Sequence, residues 1–409
     1  MVSFMECIPI MKIKYLILLL TFFMVACKPE VQVVPTVSVG HETECVRSRM
    51  EDRSRKLVLF KPAPDGKKLL LLSETHGPAA NFQLFVLEPQ TCRETELVFP
   101  QYAGLDYQNA DLADIHDIAW NGISDRIALV VNYYALQTDP DYGSGNGYSI
   151  SCFIAVDNSK SSCNPPEYGH VYEQQSHISW NRNKLLYTGK KYEYTSDNIA
   201  RTVSGVYAWN TDTGVISQIG KNSGHYLHHL VYSAESDTYG ALGLGYEEEF
   251  SPGHGLYMFP ASSPDTPVYK IPNVSEVYGI GNRIYTIHFT ANELVPGDIS
   301  EVTYDRELNI YNRKALVHFY NEIKYSGNFV VDQSGQYAAI PYDTYQSSFD
   351  WNEYGFWICD HEACRQHGEQ QFVYLYPNKY YPLGFIYLDG TEYLIASSMK
   401  QAIMIGVNP

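Results

Sequence analysis

The sequence predicts an all-β fold built from repeated four-stranded units. It is rich in aromatic residues, with 35 Tyr, 17 Phe and 5 Trp among 409 residues, and aromatic side chains favour strands. No stretch after residue 27 has a helical period long enough to indicate a sustained helix. One short pattern, a loop rich in Gly, Asp or Asn followed by an apolar and aromatic run, occurs seven times, at 64–74, 124–134, 181–191, 236–246, 281–289, 334–343 and 389–398.

Each copy of this pattern has the same neighbours. A short strand ending in an aromatic or aliphatic residue precedes it, as at 176–180, and a second apolar strand follows it, as at 205–209. A tight turn such as 210–214 then leads to a fourth strand. Four antiparallel strands, repeated seven times, predict a seven-bladed β-propeller over residues 55–409.

The closure of the ring is a separate question. The last unit supplies strands near 384–388, 393–397 and 402–407, which leaves its blade one strand short. The β-branched stretch 31–39 is predicted to complete this blade, which would hide the edge strands of an open ring. The alternative is a flexible tether within residues 27–54, and a proline in the stretch favours that alternative, because proline is tolerated only at edge positions.

Residues 1–26 are predicted to be a signal peptide. The apolar run at 15–26 follows Lys12 and Lys14, and it is shorter than the roughly 20 residues that a membrane-spanning helix needs. The run ends in Met-Val-Ala before Cys27, which resembles a bacterial lipobox. The resemblance implies that Cys27 is diacylated and anchors the mature chain to a membrane; an ordinary secretory peptide is the alternative.

The predicted location is the bacterial cell envelope. Cys27 is followed by Lys28 rather than by the aspartate that resembles an inner-membrane retention signal. This favours lipid anchoring at the outer membrane, facing the periplasm or the cell surface. The formal net charge of −17 excludes nucleic acid as an expected partner, because a phosphate-binding surface needs excess Lys and Arg.

Six cysteines follow the leader, an even number that indicates disulfide bonds outside the cytosol: Cys45, Cys92, Cys152, Cys163, Cys359 and Cys364. Cys152 and Cys163 flank one turn-like segment, and Cys359 and Cys364 flank another. Cys45 and Cys92 are then left to pair by elimination. A metal site would want C-x-x-C spacings, and the sequence has none.

Two segments resemble a known family. The sequence PDGKKLLLL at 64–72 and the sequence VYAWNTDTG at 206–214 look like repeats of the TolB-like, WD-repeat-related propellers of bacterial envelopes. The resemblance covers roughly residues 55–409, with degenerate copies. It implies the fold and the envelope location but no activity, because propellers carry many functions.

The loops between second and third strands are predicted to be long, and they are rich in aromatic and acidic residues. Such a face can stack sugar rings or receive a basic protein segment; alternatively, the aromatic side chains pack the loops onto themselves. The short turns on the opposite face, such as 210–214, are expected to play no part in binding. The candidate binding residues of the long-loop face are Tyr142, Tyr194, Glu248, Trp351 and Tyr354.

A group of histidines lies at matching places in three predicted first strands. These are His116, His177, His228 and His229. Because the first strand of a blade is innermost, their side chains are expected to approach the central funnel, where imidazoles could bind zinc or manganese. Histidines in comparable places bind metal in some propeller lyases that act on pectic fragments, a resemblance of position only. The alternative is that they cap loops or bond to neighbouring strands.

Two functions remain open. The first is a non-catalytic binding or scaffold lipoprotein that holds an envelope protein or a glycan and needs no cofactor. The second is a metal-assisted lyase or hydrolase that acts on glycans through the funnel histidines, with a divalent metal in the funnel. The sequence lacks a G-x-S-x-G elbow and a phosphate loop, which favours the first. The negative charge disfavours an anionic polysaccharide unless a local basic pocket exists.

Overall fold

The structure is a computed structural model of the chain. It describes residues 40–52, 56–75, 81–99, 110–135, 147–164, 174–194, 200–223, 226–244, 255–280, 283–289, 296–305, 310–318, 324–325, 329–332, 334–344, 353–360, 373–374, 380–397 and 402–407.

The first sheet shows why the apolar runs form strands. It contains four antiparallel strands in chain order: β1 (Lys56–Pro62), β2 (Leu69–Thr75), β3 (Asn81–Glu88) and β4 (Arg93–Leu97). In β2, Leu70 and Leu72 pack towards the second sheet, whereas Leu69 and Leu71 pack towards the last sheet. Successive side chains of a strand point to opposite faces, so this continuous apolar run buries both faces of the strand.

The second sheet is larger. Its eight strands are β5 (Ala110–Trp120), β6 (Arg126–Ala135), β7 (Gly147–Ala155), β8 (Ser161–Cys163), β9 (Gln174–Asn181), β10 (Lys184–Tyr194), β11 (Ala200–Asn210) and β12 (Ile216–Ile219). Strands β5 to β8 pair antiparallel in chain order, and so do β9 to β12. A parallel contact between Ser149 of β7 and Gln174 of β9 joins the two halves.

Four further sheets follow along the chain. The third contains β13 (Tyr226–Ser233), β14 (Thr238–Leu244), β15 (Gly255–Pro260) and β16 (Tyr269–Pro272). The fourth contains β17 (Val274–Ile280), β18 (Arg283–Phe289), β19 (Pro296–Asp305) and β20 (Ile310–His318). The fifth contains β21 (Lys324–Tyr325), β22 (Val330–Val331), β23 (Tyr337–Thr344), β24 (Glu353–Asp360) and β25 (Val373–Tyr374). The last contains β26 (Tyr381–Leu388), β27 (Thr391–Ser397) and β28 (Ala402–Gly406).

The fold is an all-β propeller built mainly of four-stranded antiparallel blades, but the predicted count of seven blades is wrong. The described strands form six sheets, because the contact between Ser149 and Gln174 merges two predicted units into one sheet. The predicted closing strand is wrong as well. The last sheet has three strands, and the described part of the chain offers it no fourth. The stretch 31–39 lies outside the described residues.

Apolar clusters hold consecutive sheets together. Phe356 of the fifth sheet packs with Leu394 of the last sheet. Phe60 of the first sheet packs with Ile395 of the last sheet, so the two ends of the series are also in contact. All four side chains are nearly or completely buried. The core is therefore divided among the interfaces between sheets, as the two-faced burial of β2 requires.

A helix lies where the sequence predicts none. Helix α1 (His41–Glu51) has acidic residues in its first turn and Arg49 in its last turn, which suits the helix dipole. Only Thr43, Cys45 and Val46 are buried. Three buried positions confined to residues 43–46 produce almost no apolar period over the helix, so the period-based prediction missed it.

Helix α1 fastens the first sheet to the last, and we call it the N-terminal clasp. Its first turn is capped by Asp389 in the turn after β26, whose carboxylate accepts hydrogen bonds from the Thr43 amide at 2.8 Å and the Glu42 amide at 3.3 Å. The Glu42 carboxylate accepts a bond from the Asp389 amide at 2.7 Å. Together these bonds form a capping box shared between two distant segments. The clasp is joined to the first sheet by the disulfide bond from Cys45, inside the helix, to Cys92, in the turn before β4.

Replacing Asp389 with alanine is expected to lower the free energy of unfolding by about 1 kcal/mol, because the substitution removes a helix cap. Burial alone would raise the pKa of Asp389, but the amides of Thr43 and Glu42 outweigh it and lower the pKa. The stabilisation is therefore present above the ordinary value of 3.8 and is lost as pH falls through the folded-state pKa. Urea denaturation at neutral and acid pH measures both effects.

The control for this cap is Asp157→Ala, in a surface turn where the carboxylate accepts a bond from the Ser159 amide at 2.9 Å. Loss of the Asp157 carboxylate should lower the free energy of unfolding clearly less than loss of the Asp389 carboxylate does, because Asp157 caps no helix. An equal loss in both variants would show that Asp389 does not hold the clasp.

Two of the predicted disulfide bonds are present in the structure, Cys45–Cys92 and Cys152–Cys163. The predicted partner of Cys359 is Cys364, which lies outside the described residues. Among the helices of the described residues, none is long and apolar enough to cross a membrane.

Candidate functional site

The first strands of four successive units bring ionisable side chains to the inner side of the sheets. Strand β1 contributes Lys61, β5 contributes Asp117, β9 contributes His177, and β13 contributes His228 and His229. We call these five residues the inner-strand arc. Lys61, Asp117 and the three histidines are all partly buried, neither fully exposed nor sealed in the core.

Two of the histidines occupy an unusual backbone conformation. His177 and His229 both have φ of 53°, in the left-handed region that few non-glycine residues adopt. Both lie inside strands, at register shifts between β9 and β10 and between β13 and β14. Such bulges re-aim side chains, and strain of this kind persists only where the surroundings hold it.

Side chains from the preceding unit hold these bulges in place. The Ile178 amide, next to His177, donates to Asp117 Oδ2 at 3.2 Å. The His229 amide donates to Thr188 Oγ1 at 2.9 Å. The bulges therefore leave these amides to bond with side chains rather than with a strand partner. Asp117 and Thr188 thus fix the positions of the two imidazoles.

The imidazoles are in direct contact. The ring centroids of His177 and His229 are 3.4 Å apart, with an angle of 36° between the planes. His228 Nδ1 and His229 Nδ1 form a hydrogen bond, so one of these nitrogens carries the proton and the other accepts it. Imidazole exchanges protons near neutral pH, so this group can both take up and release a proton.

Lys61 extends the arc and was missed by sequence reasoning. Its ammonium donates to the Ile118 carbonyl oxygen. Burial lowers the pKa of Lys61, and the nearby Asp117 carboxylate partly opposes that shift. The available signal was a lysine at the end of the apolar run of β1, at the position matching Ala119 on β5. The match is visible in the contacts of two tryptophans: Trp120 Nε1 donates to the Lys61 carbonyl and Trp180 Nε1 donates to the Ala119 carbonyl, both at 3.1 Å.

The described residues do not assemble a metal site. No three of their His, Cys, Asp or Glu side chains are placed to hold one metal ion. His116 lies at a register shift between β5 and β6, as His177 and His229 do in their own strands.

The predicted long-loop face is described only in part. Tyr142, Glu248 and Trp351 lie outside the described residues, as does Cys27 at the predicted lipidation site. Tyr194 and Tyr354 lie in strands β10 and β24, where the sequence predicts loops. The strands are longer than predicted because polar and aromatic residues continue the pairing beyond the apolar run, as in the eleven-residue register of β10 with β11.

No protein-family model matches the chain, and no curated protein matches it. Solved structures resemble it at low identity. The propeller domain of the Trilobed protease from Pyrococcus furiosus is 12% identical, with a TM-score of 0.45 over 75% of this chain and 84% of that chain. A prolyl endopeptidase is 12% identical with a TM-score of 0.48, and 98% of this chain spans only 56% of that chain. An oligogalacturonate lyase in complex with manganese is 11% identical, with a TM-score of 0.46 over 87% of this chain and 90% of that chain. These similarities concern the fold and do not extend to activity.

Proposed function

We propose that this chain is a glycan-cleaving enzyme of the cell envelope that acts on an acidic glycan by proton abstraction and elimination at the inner-strand arc. The observation that supports this most strongly is the pair of touching imidazoles, His177 and His229, held on bulges at positive φ. A strained and well-braced histidine pair is typical of a functional site. The envelope location remains the one proposed from Cys27.

The substrate class follows from the charge of the arc. A chain with a net charge of −17 repels anions unless a local basic pocket exists. The arc groups one ammonium, from Lys61, with three imidazoles, against the single carboxylate of Asp117. These groups can neutralise the carboxylate of a uronic acid, which the scattered surface lysines cannot do.

Elimination fits the arc better than hydrolysis does. Glycoside hydrolysis usually uses two carboxyl groups on either side of the bond that breaks. Asp117 is the one carboxylate in the arc as described, and its two oxygens accept bonds from the Ile118 amide at 2.8 Å and the Ile178 amide at 3.2 Å. Its role is therefore to hold the backbone, which leaves proton transfer to the imidazoles.

In the proposed step a neutral imidazole removes the proton on the carbon next to the uronate carboxylate. The electrons of that bond form a carbon–carbon double bond, and the bond to the neighbouring glycosidic oxygen breaks. A protonated imidazole gives its proton to the leaving oxygen, so the two histidines exchange protonation states. Lys61 supplies positive charge opposite the carboxylate while negative charge builds up on it.

His177→Asn and His229→Asn are expected to lower the rate of unsaturated product formation by roughly 10²–10⁴-fold each, the usual contribution of a general acid or base. Asparagine is chosen because it tolerates positive φ, so the bulges should survive. The measurement is the ultraviolet absorbance of unsaturated uronate after incubation with a panel of oligouronates.

His41→Asn serves as the matched control, because His41 is an exposed residue of α1 outside the arc, and it should keep full activity. Binding of oligouronates by the wild-type protein without any product would contradict the enzyme proposal and favour a binding protein.

A further inference from the structure

A cavity of about 600 Å³ opens on the short-turn side of the propeller. It lies where the turns after β5, β9, β11 and β13 meet, and the arc residues do not line it. Its volume is within the range of small-molecule sites, about 300–1,000 Å³. The residues that matter for its chemistry are Arg126, Trp180, Arg182, Asn183, Asp212 and Tyr232.

Two aromatic side chains form the inner wall of the cavity. Trp180 and Tyr232 are 8% and 6% exposed, so each is fixed by its surroundings. Trp180 Nε1 donates to the Ala119 carbonyl, and the Tyr232 hydroxyl donates to Asp237 at 2.6 Å. At the rim, Ile123 is 71% exposed. Fixed aromatic walls with an apolar rim suit a ligand that has a flat apolar face.

A network of planar polar groups forms the other side. Arg126 donates to Thr211 Oγ1 at 2.5 Å and contacts Asp212 Oδ1 at 2.8 Å. The side-chain Nδ2 of Asn183 donates to Asp212 Oδ2 at 2.6 Å. These bonds lower the pKa of Asp212, the Asn183 bond first and the Arg126 bond next. The network holds its groups in place before any ligand arrives, which reduces the entropic cost of binding.

The charges of the lining cancel. Arg126 and Arg182 balance Asp125 and Asp212, in a protein whose net charge is −17. A site with no net charge has no preference for an anion or a cation. Its fixed carboxylate, amide and guanidinium groups instead match a ligand with several hydroxyl groups.

We propose that this cavity binds a neutral saccharide unit, with the C–H face of the sugar against the aromatic wall and its hydroxyls on the Asp212, Asn183 and Arg182 side chains. The site is separate from the arc and does not depend on the proposed elimination. This proposal differs from the expectation that the 210–214 turn has no part in binding, because Asp212 lies in that turn.

The test is saturation-transfer NMR and titration calorimetry on the full chain with cellobiose, lactose and chitobiose as probes. We expect transfer to the sugar ring protons of at least one probe. Arg182→Ala should weaken its binding by about tenfold, since a hydrogen bond to a charged group is lost. Ile123→Ser at the exposed rim should also weaken binding. Both side chains are exposed, so these variants should fold.

Two controls make the outcome decisive. Arg313→Ala, on an exposed position of the outer strand β20, should leave sugar binding unchanged. The arc variants His177→Asn and His229→Asn should bind the probes normally, so failure of the proposed elimination and failure of this site can be told apart. The proposal is overturned if no neutral sugar binds, if inorganic phosphate or acetate binds in the cavity instead, or if Arg182→Ala and Ile123→Ser bind as the wild type does.

Discussion

Replacing Cys45 and Cys92 with alanine is expected to lower the free energy of unfolding by about 4 kcal/mol in the chain-entropy description of disulfide bonds. The two cysteines are 47 residues apart in sequence, so the bond removes many conformations from the unfolded chain. The bond also ties α1 to the first sheet, while Asp389 ties the helix to the last sheet. Its loss should therefore loosen the contact between the two ends of the propeller.

The matched comparison is Cys152→Ala with Cys163→Ala, whose separation is 11 residues. The same description gives a loss of about 3 kcal/mol for this bond, and both of its cysteines lie in one sheet, in the neighbouring strands β7 and β8. Chemical denaturation of both double variants, with hydrogen exchange on the last sheet, measures the difference. The role of the clasp would be contradicted if the free energy of unfolding fell more without the Cys152–Cys163 bond than without the Cys45–Cys92 bond. Unchanged hydrogen exchange in the last sheet of the variant without Cys45 and Cys92 would contradict it as well.

The strands were predictable because their apolar runs are local. The repeat around Leu69–Leu72 has the same form in the other units, and the structure places a strand at each copy. The number of sheets was not predictable in this way. It depends on one parallel contact, between Ser149 and Gln174, and neither residue belongs to an apolar run.

The ends of the propeller show a related limit. Helix α1 depends on Asp389, which is 346 residues from the Thr43 amide that it caps. No local pattern contains that partner, so the sequence showed an acidic and basic segment without an apolar period. The prediction that a strand would close the last sheet rested on a missing strand, on the β-branched composition of residues 31–39 and on the exposed edges of an open ring, whereas the structure holds that sheet with a capped and cross-linked helix.

The candidate site was predictable only where it repeats. His177 and His229 lie at the same place relative to Trp180 and Tyr232, and the structure brings their rings together. The sequence alone did not show where Lys61 lies relative to these histidines, because its strand ends in proline rather than in an aromatic residue. The cavity on the short-turn side could not be predicted, since its residues come from four turns that meet only in the folded chain.

Lys61→Met is expected to reduce elimination of oligouronates by about 10²-fold while the folded state becomes no less stable at neutral pH. The activity should fall because, in the proposed function, Lys61 supplies the charge opposite the substrate carboxylate. Stability should hold because burial penalises the Lys61 charge and lowers its pKa, and removal of that charge offsets the loss of the hydrogen bond to the Ile118 carbonyl. Methionine keeps the unbranched shape and fills the same space without that charge.

The pH dependence of stability separates this from a packing effect. Since the folded-state pKa of Lys61 lies below its ordinary value of 10.5, the unfolded chain binds more protons between those two values. The stability of the wild type should therefore rise with pH across that window, and Lys61→Met should lose this rise. Thermal melting from neutral to alkaline pH measures it.

The matched control is Lys68→Met, because the Lys68 ammonium also donates to a backbone carbonyl, that of Ser124 at 2.8 Å, outside the arc. It should keep full activity. If Lys61→Met is as active as the wild type, Lys61 does not face the substrate carboxylate. If both variants lose activity equally, the effect comes from the loss of a buried hydrogen bond rather than from the charge in the arc.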